Sequence, residues 1–240
     1  MKTQCVYCSR EIATTKDHIP PKALFPQPRP SNLITVPCCR TCNEGFSKDD
    51  TYLRDTLCLR QEMADNPAVS KLLQTVVRSI AGKGREGYLK HILSRFSERV
   101  AATPAGIIIG NWPTLKVDLE RLRKTCARIV LGLFYSHTGR PLDSEYAIRV
   151  YPLEYVESLW TEHFNLFHDV LMKPLQSQEF VTKGEYVFKY RHLSDQSDEN
   201  ATAWQLTFYE KYPVFAVTLQ ADKIPPEKVL PFDYPPIWRF

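Results

Sequence analysis

Two Cys-x-x-Cys pairs, Cys5–Cys8 and Cys39–Cys42, constrain this chain more than any other feature. Each tight knuckle presents two thiolates, and two such knuckles at this separation make one tetrahedral zinc site. Cys38 stands beside Cys39 and competes for the ligand role. Cys39 is chosen because only it has the x-x spacing to Cys42. Four thiolates leave a zinc ion no open position for a substrate, so Cys5, Cys8, Cys39 and Cys42 are read as structural ligands. The cysteines number seven, four of them in zinc spacing, which points to a reducing interior rather than a disulfide framework. No apolar leader follows Met1, and no run approaches the ~18 apolar residues of a membrane span. The expectation is a cytoplasmic protein that meets no membrane.

Zinc does not explain what lies between and beside the pairs: Asp17-His18, Asn32 and Asn43. Phosphodiester hydrolysis needs a base that is neutral near pH 7, and a histidine serves. It also needs positive charge on the phosphoryl oxygens, which a divalent ion on oxygen ligands supplies. Asp17 and His18 offer one group for each task. In a strand they would point to opposite faces. The turn into Ile19-Pro20-Pro21 is therefore expected to bring both toward one cleft.

The order and spacing of these residues resemble the HNH nuclease family, over about the first fifty residues. Cysteine-containing members of that family build a ββα-metal module on a zinc-stapled scaffold. The resemblance implies that His18 is the general base and Asp17 a ligand of a catalytic Mg²⁺ or other divalent ion. It implies that Asn32 fixes the histidine backbone and that Asn43 completes the metal site, which makes the chain an HNN variant. The step from Asn32 to Asn43 is slightly longer than usual in the family. DNA is the expected substrate, and RNA is the variant of the same reading. The rival class is a zinc-containing nucleic-acid-binding module without catalysis. Family analogy alone adds a phage-defence or restriction context, with a protein partner held by the C-terminal half.

Charge is unevenly spread. Residues 1–140 hold 22 Lys/Arg against 12 Asp/Glu, whereas residues 141–240 hold 9 against 15. A basic first part points to a polyanion. Arg78, Lys83, Arg85, Lys90, Arg95 and Arg99 are the candidate phosphate contacts, expected on the polar faces of two helices and a glycine-rich turn.

The remaining pattern predicts an α+β protein: a zinc-bound ββα module over 1–65, then a mixed domain over 66–240, helical and basic first, acidic and sheet-rich after. Strands are expected over 14–19 and 32–36, with Pro37 ending the second, and a helix from about Cys39 capped by Thr41 or Asn43. Leu53, Leu57, Val69, Leu72, Leu73, Val76, Val77 and Ile80 have helical spacing, broken at Asn66-Pro67. Further helices are predicted over 88–100, 119–134 and 153–171, and a buried strand over 106–110. Residues 146–151, 186–190, 204–209 and 214–219 alternate as antiparallel strands do. Cys58 and Cys126 fall on apolar helical positions and are read as core.

Overall fold

The computed structural model describes residues 3–102, 108–153, 156, 164–165 and 167–223, without the side chains of 99–102, 109, 111–113 and 223. Nine strands and five α-helices among them give the expected α+β class.

An antiparallel hairpin opens the fold, β1 (Thr15–Ile19) against β2 (Ile34–Cys38), with Asp17 opposite Val36. β2 does not stop at Pro37. In a two-stranded ribbon Pro37 faces the free edge, where its carbonyl accepts from Val6 N at 3.1 Å, so the missing N–H breaks no ladder. α1 (Arg40–Cys58) follows, and its cap is neither Thr41 nor Asn43. Cys39 caps it, its Sγ accepting from Cys42 N at 3.4 Å.

α2 (Pro67–Ala81) buries Val69, Leu72, Val76 and Ile80; Leu73 and Val77, expected on that face, are exposed. Asn66 caps α2 through Oδ1, and its Nδ2 donates to the carbonyls of Tyr186 and Tyr209, both at 3.0 Å. α3 (Glu86–Leu93) is shorter than predicted. Of its apolar stripe only Ile92 is buried, while Leu93 and Phe96 face solvent, so packing does not reward a longer helix. The chain instead enters β3 (Phe96–Ala102), which pairs with β4 (Ile108–Leu115). Of the strand predicted over 106–110, residues 106 and 107 lie outside the described residues, and Ile108 is 70% exposed rather than buried.

α4 (Leu119–Thr138) is capped by Asp118 and closed by Gly139, whose φ of 73° is the left-handed turn that favours glycine. A five-stranded antiparallel sheet completes the fold in the order β5 (Tyr146–Pro152), β9 (Tyr212–Gln220), β8 (Thr202–Phe208), β7 (Phe188–Ser194), β6 (Val181–Lys183). The helix predicted over 153–171 falls largely outside the described residues. Its described end is a π-helical turn, His168–Met172, running into α5 (Lys173–Gln176).

α4 packs on α1 and β2 on one side and on β5 and β9 on the other. Its fit to β1 is close: a Cβ on Gly132 would come within 2.5 Å of Ile19 Cδ1. One cluster of buried side chains therefore runs from Cys5, Ile19 and Leu53 through Ile129 and Leu133 to Trp204 and Phe208, on both sides of position 65. The other sheet face is covered by Val156, Leu171 and Leu175 against Phe215. No described helix is long and apolar enough to cross a membrane.

Candidate metal centre and active site

The first knuckle is a tight turn in which Ser9 N donates to Cys5 O and Cys5 N to Glu11 O, both at 2.9 Å, with Ser9 at φ 51°. The second is the start of α1. Together they bring the sulfurs of Cys5, Cys8, Cys39 and Cys42 within 4.8 Å of one another, with Cys8 Sγ and Cys39 Sγ at 3.9 Å. Zinc–sulfur bonds of about 2.3 Å in a tetrahedron put sulfurs about 3.8 Å apart, so the four-thiolate set could hold a structural metal ion such as zinc. Burial raises the Cys8 thiol, but backbone N–H groups of Arg10 and Glu11 outweigh it and bring the group down to about 7. Cys38 stays out of the set: its Sγ donates to Cys39 O at 3.3 Å, and burial pushes its thiol up.

β1 carries Asp17 and His18 on opposite faces. Pairing continues to Ile19 opposite Ile34, so the turn at Pro20 comes too late to bring both side chains to one cleft. The expectation of a shared cleft is corrected here. His18 is half-buried on the outer face. Burial, then Lys22 and Arg29, lower its pKa against the opposing pull of Asp17, which keeps the imidazole neutral at pH 7. Lys22 and Arg29 sit on the proline-rich connection, where Arg29 Nε donates to Lys22 O at 3.2 Å. Neither cation is among the residues singled out from the sequence, although two basic side chains following Asp-His are a signal for them. Asn32 is exposed just before β2, its carbonyl accepting from Lys183 Nζ at 3.4 Å.

Asp17 points inward and is 6% exposed. Its Oδ2 accepts from Tyr7 OH at 2.6 Å and lies 3.8 Å from Arg128 Nε, and its Oδ1 accepts from His18 N at 2.9 Å. Arg128, on α4, is 1% exposed. Its Nη2 donates to Asp50 Oδ1, and the Phe46 ring lies 4.3 Å from the guanidinium carbon. Burial raises Asp50 to about 6, with Arg128 pulling it back down. Asn43 shares this inner side: its Nδ2 donates to Thr15 Oγ1 at 3.1 Å. Asp17 and Asn43 are thus on one face, but a divalent ion needs free oxygen donors. Both Asp17 oxygens are engaged and a guanidinium already neutralises the carboxylate. This arrangement does not fit an open divalent site, and no catalytic step is derived through such an ion.

The basic candidates separate. Arg78, Lys83, Arg85 and Lys90 are exposed. Arg95 is committed to Asp118 at 3.2 Å and to Lys116 O at 3.3 Å. Arg99 lies on β3, and its side chain is outside the described residues. Beside them an open groove of about 420 Å³ is lined by His91, Ser94, Arg95, Phe96, Ser97 and Lys116. Part of the basic excess is internal: Arg121 pairs with Asp49 at 2.8 Å, and Arg128 with Asp50.

Comparison of the chain with models of protein families, with curated proteins and with solved structures finds no match.

Proposed function

We propose that the chain is an HNH-type endonuclease that hydrolyses phosphodiester bonds in DNA, with His18 as general base. The reading is carried by the hairpin-on-helix module bound by four cysteine sulfurs, which holds a neutral His18 at an open face. In this reading His18 takes a proton from the attacking water. Lys22 and Arg29 attract the phosphate, and Asn32 closes the loop beside the base. Zinc, bound by Cys5, Cys8, Cys39 and Cys42, fixes β1 relative to α1. The exposed Arg78, Lys83, Arg85 and Lys90 would hold the duplex by sequence-independent contacts. One observation favours a second reading, a zinc-stapled nucleic-acid-binding module without catalysis: the carboxylate of Asp17 is buried and taken.

Incubation of the purified protein with supercoiled plasmid, with and without Mg²⁺ or Mn²⁺, separates the two. Nicking is expected. His18→Ala should lower the rate by roughly two to four orders of magnitude while zinc content and DNA affinity stay at wild-type levels. Plasmid bound but never nicked would establish the binding module instead.

A further inference from the structure

A guanidinium held between two carboxylates in the interior of a metal-stapled module calls for an explanation. Arg128 comes from α4, far along the chain from Asp17 on β1 and Asp50 on α1, yet it is buried between them. Its surroundings are closed. A void lined by Arg128 itself with Phe46 and Asp49 is about 10 Å³, room for at most one water. A hydrated divalent ion does not fit beside the guanidinium. Among the described residues two of the Arg128 nitrogens, Nε and Nη1, have no hydrogen-bond partner, Nε lying 3.8 Å from Asp17 Oδ2. An arginine chosen only to bridge surfaces would satisfy more of its five donors. What the position supplies is charge.

We propose that Arg128 is the resident cation of this site, standing where the HNH resemblance would put a divalent metal. Its positive charge faces the carboxylates of both Asp17 and Asp50 and holds Asp17 in place. Asp17 in turn accepts the backbone N–H of His18 at 2.9 Å and so orients the strand that presents the imidazole. Arg128 is a positioning residue, since it touches neither solvent nor substrate. Two consequences follow. The intact protein binds zinc but no second divalent ion. Removing the guanidinium leaves Asp17 and Asp50 as an uncompensated buried pair, which then takes up another cation. The inference uses the HNH reading to define the site, but its readout is metal binding rather than cleavage.

The experiment is a Mn²⁺ titration of zinc-loaded full-length protein, followed by the electron paramagnetic resonance signal of free Mn²⁺. Wild type and Arg128→Lys are expected to leave the signal unchanged. Arg128→Ala is expected to bind one Mn²⁺ at least tenfold more tightly than wild type, about 1.4 kcal/mol, and to gain thermal stability on adding it. Asp17→Asn in the Arg128→Ala background should abolish that site. Wild-type protein that binds one Mn²⁺ and loses it in Asp17→Asn overturns the proposal, even if Arg128→Ala does not fold. A folded Arg128→Ala protein with no Mn²⁺ affinity overturns it as well. Absence of nicking under every condition would count against the nuclease reading alone and leave these outcomes intact.

Discussion

The surroundings of Arg128 and those of Trp204 bury polar groups in opposite ways. Around α1 the interior holds full charges. Asp17 and Asp50 flank Arg128, and Asp55 accepts from Arg54 at 2.7 Å, Ser79 at 2.7 Å and Tyr88 at 3.2 Å. Around Trp204 in the sheet the buried partners are neutral. Thr202 Oγ1 accepts from Trp204 Nε1 at 2.6 Å, and Thr218 Oγ1 accepts from Thr202 N at 2.9 Å while donating to Asn200 O. Neutral pairs lose little on leaving water once they are satisfied, whereas each buried ion depends on its counter-ion being present. The polar groups near Trp204 are thus satisfied locally, within β8, β9 and the turn before them. Stability near Asp17 depends on a residue more than a hundred positions away and on four sulfurs.

Metal removal tests the contrast most strongly. Cys42→Ser is expected to release zinc and unfold the N-terminal module, since structural zinc contributes on the order of 10 kcal/mol to such sites. The sheet should keep its tryptophan environment. Elemental analysis with near-ultraviolet dichroism checks both halves, and zinc retained by Cys42→Ser would remove Cys42 from the ligand set. Cys58→Ser, outside the set and beside Tyr209 OH at 3.8 Å, should leave zinc in place.

A packing test is smaller. Gly132→Ala drives a methyl to 2.5 Å from Ile19, and overpacking of this kind costs about 1–3 kcal/mol. Combining it with Ile19→Ala, which removes both Cγ1 and Cδ1, should cost less than the sum of the two single losses in melting temperature. If the two losses add in full, α4 and β1 are not in register through this contact.

Reversal of Arg78, Arg85 and Lys90 to Glu should weaken DNA binding, each lost phosphate contact taking roughly 0.9 from the slope of log K against log salt. Equivalent reversals at Lys173, Lys183 and Lys189 should change the slope little. Equal effects from both sets would mean that DNA is held elsewhere. Arg95, tied to Asp118, is left out of the first set for that reason.

The smallest effect concerns pH. Burial, then the neighbouring His137 ring with its centroid 4.2 Å away, lowers His192 to about 4. The unfolded chain takes its proton near pH 6.5. His192 therefore contributes its stability in full above pH 6.5, and that contribution is lost as pH falls toward 4. The half-exposed ring limits the loss to about 1 kcal/mol. Melting temperatures at pH 7.5 and 4.5 should differ more in wild type than in His192→Gln.

What was legible in the chain follows range of interaction. The four clustered cysteines could be read because each pair is held by a local turn, and the strands of the sheet because their side chains alternate. His18 and Asp17 could be named but not oriented, since whether β1 runs on through Ile19 is decided by its pairing with Ile34. Arg128 is not among the residues that the sequence singles out. No local pattern announces that a helix beginning at Leu119 will turn it toward Asp17. The helix predicted through Val100 stops early for a related cause: Leu93 and Phe96 carry helical spacing, but both are exposed.

The double contact of α4 has a bearing on how such a protein could be divided or recombined. A gene fragment encoding residues 1–65 would supply all four sulfurs and His18, yet it would leave Ile19 without the groove at Gly132 and Asp17 without its counter-charge. The transferable cassette is discontinuous in sequence: the hairpin and α1 must travel with residues 119–138. A graft cut after the four-cysteine segment would keep the sulfurs but lose the contacts that α4 makes with Ile19 and Asp17.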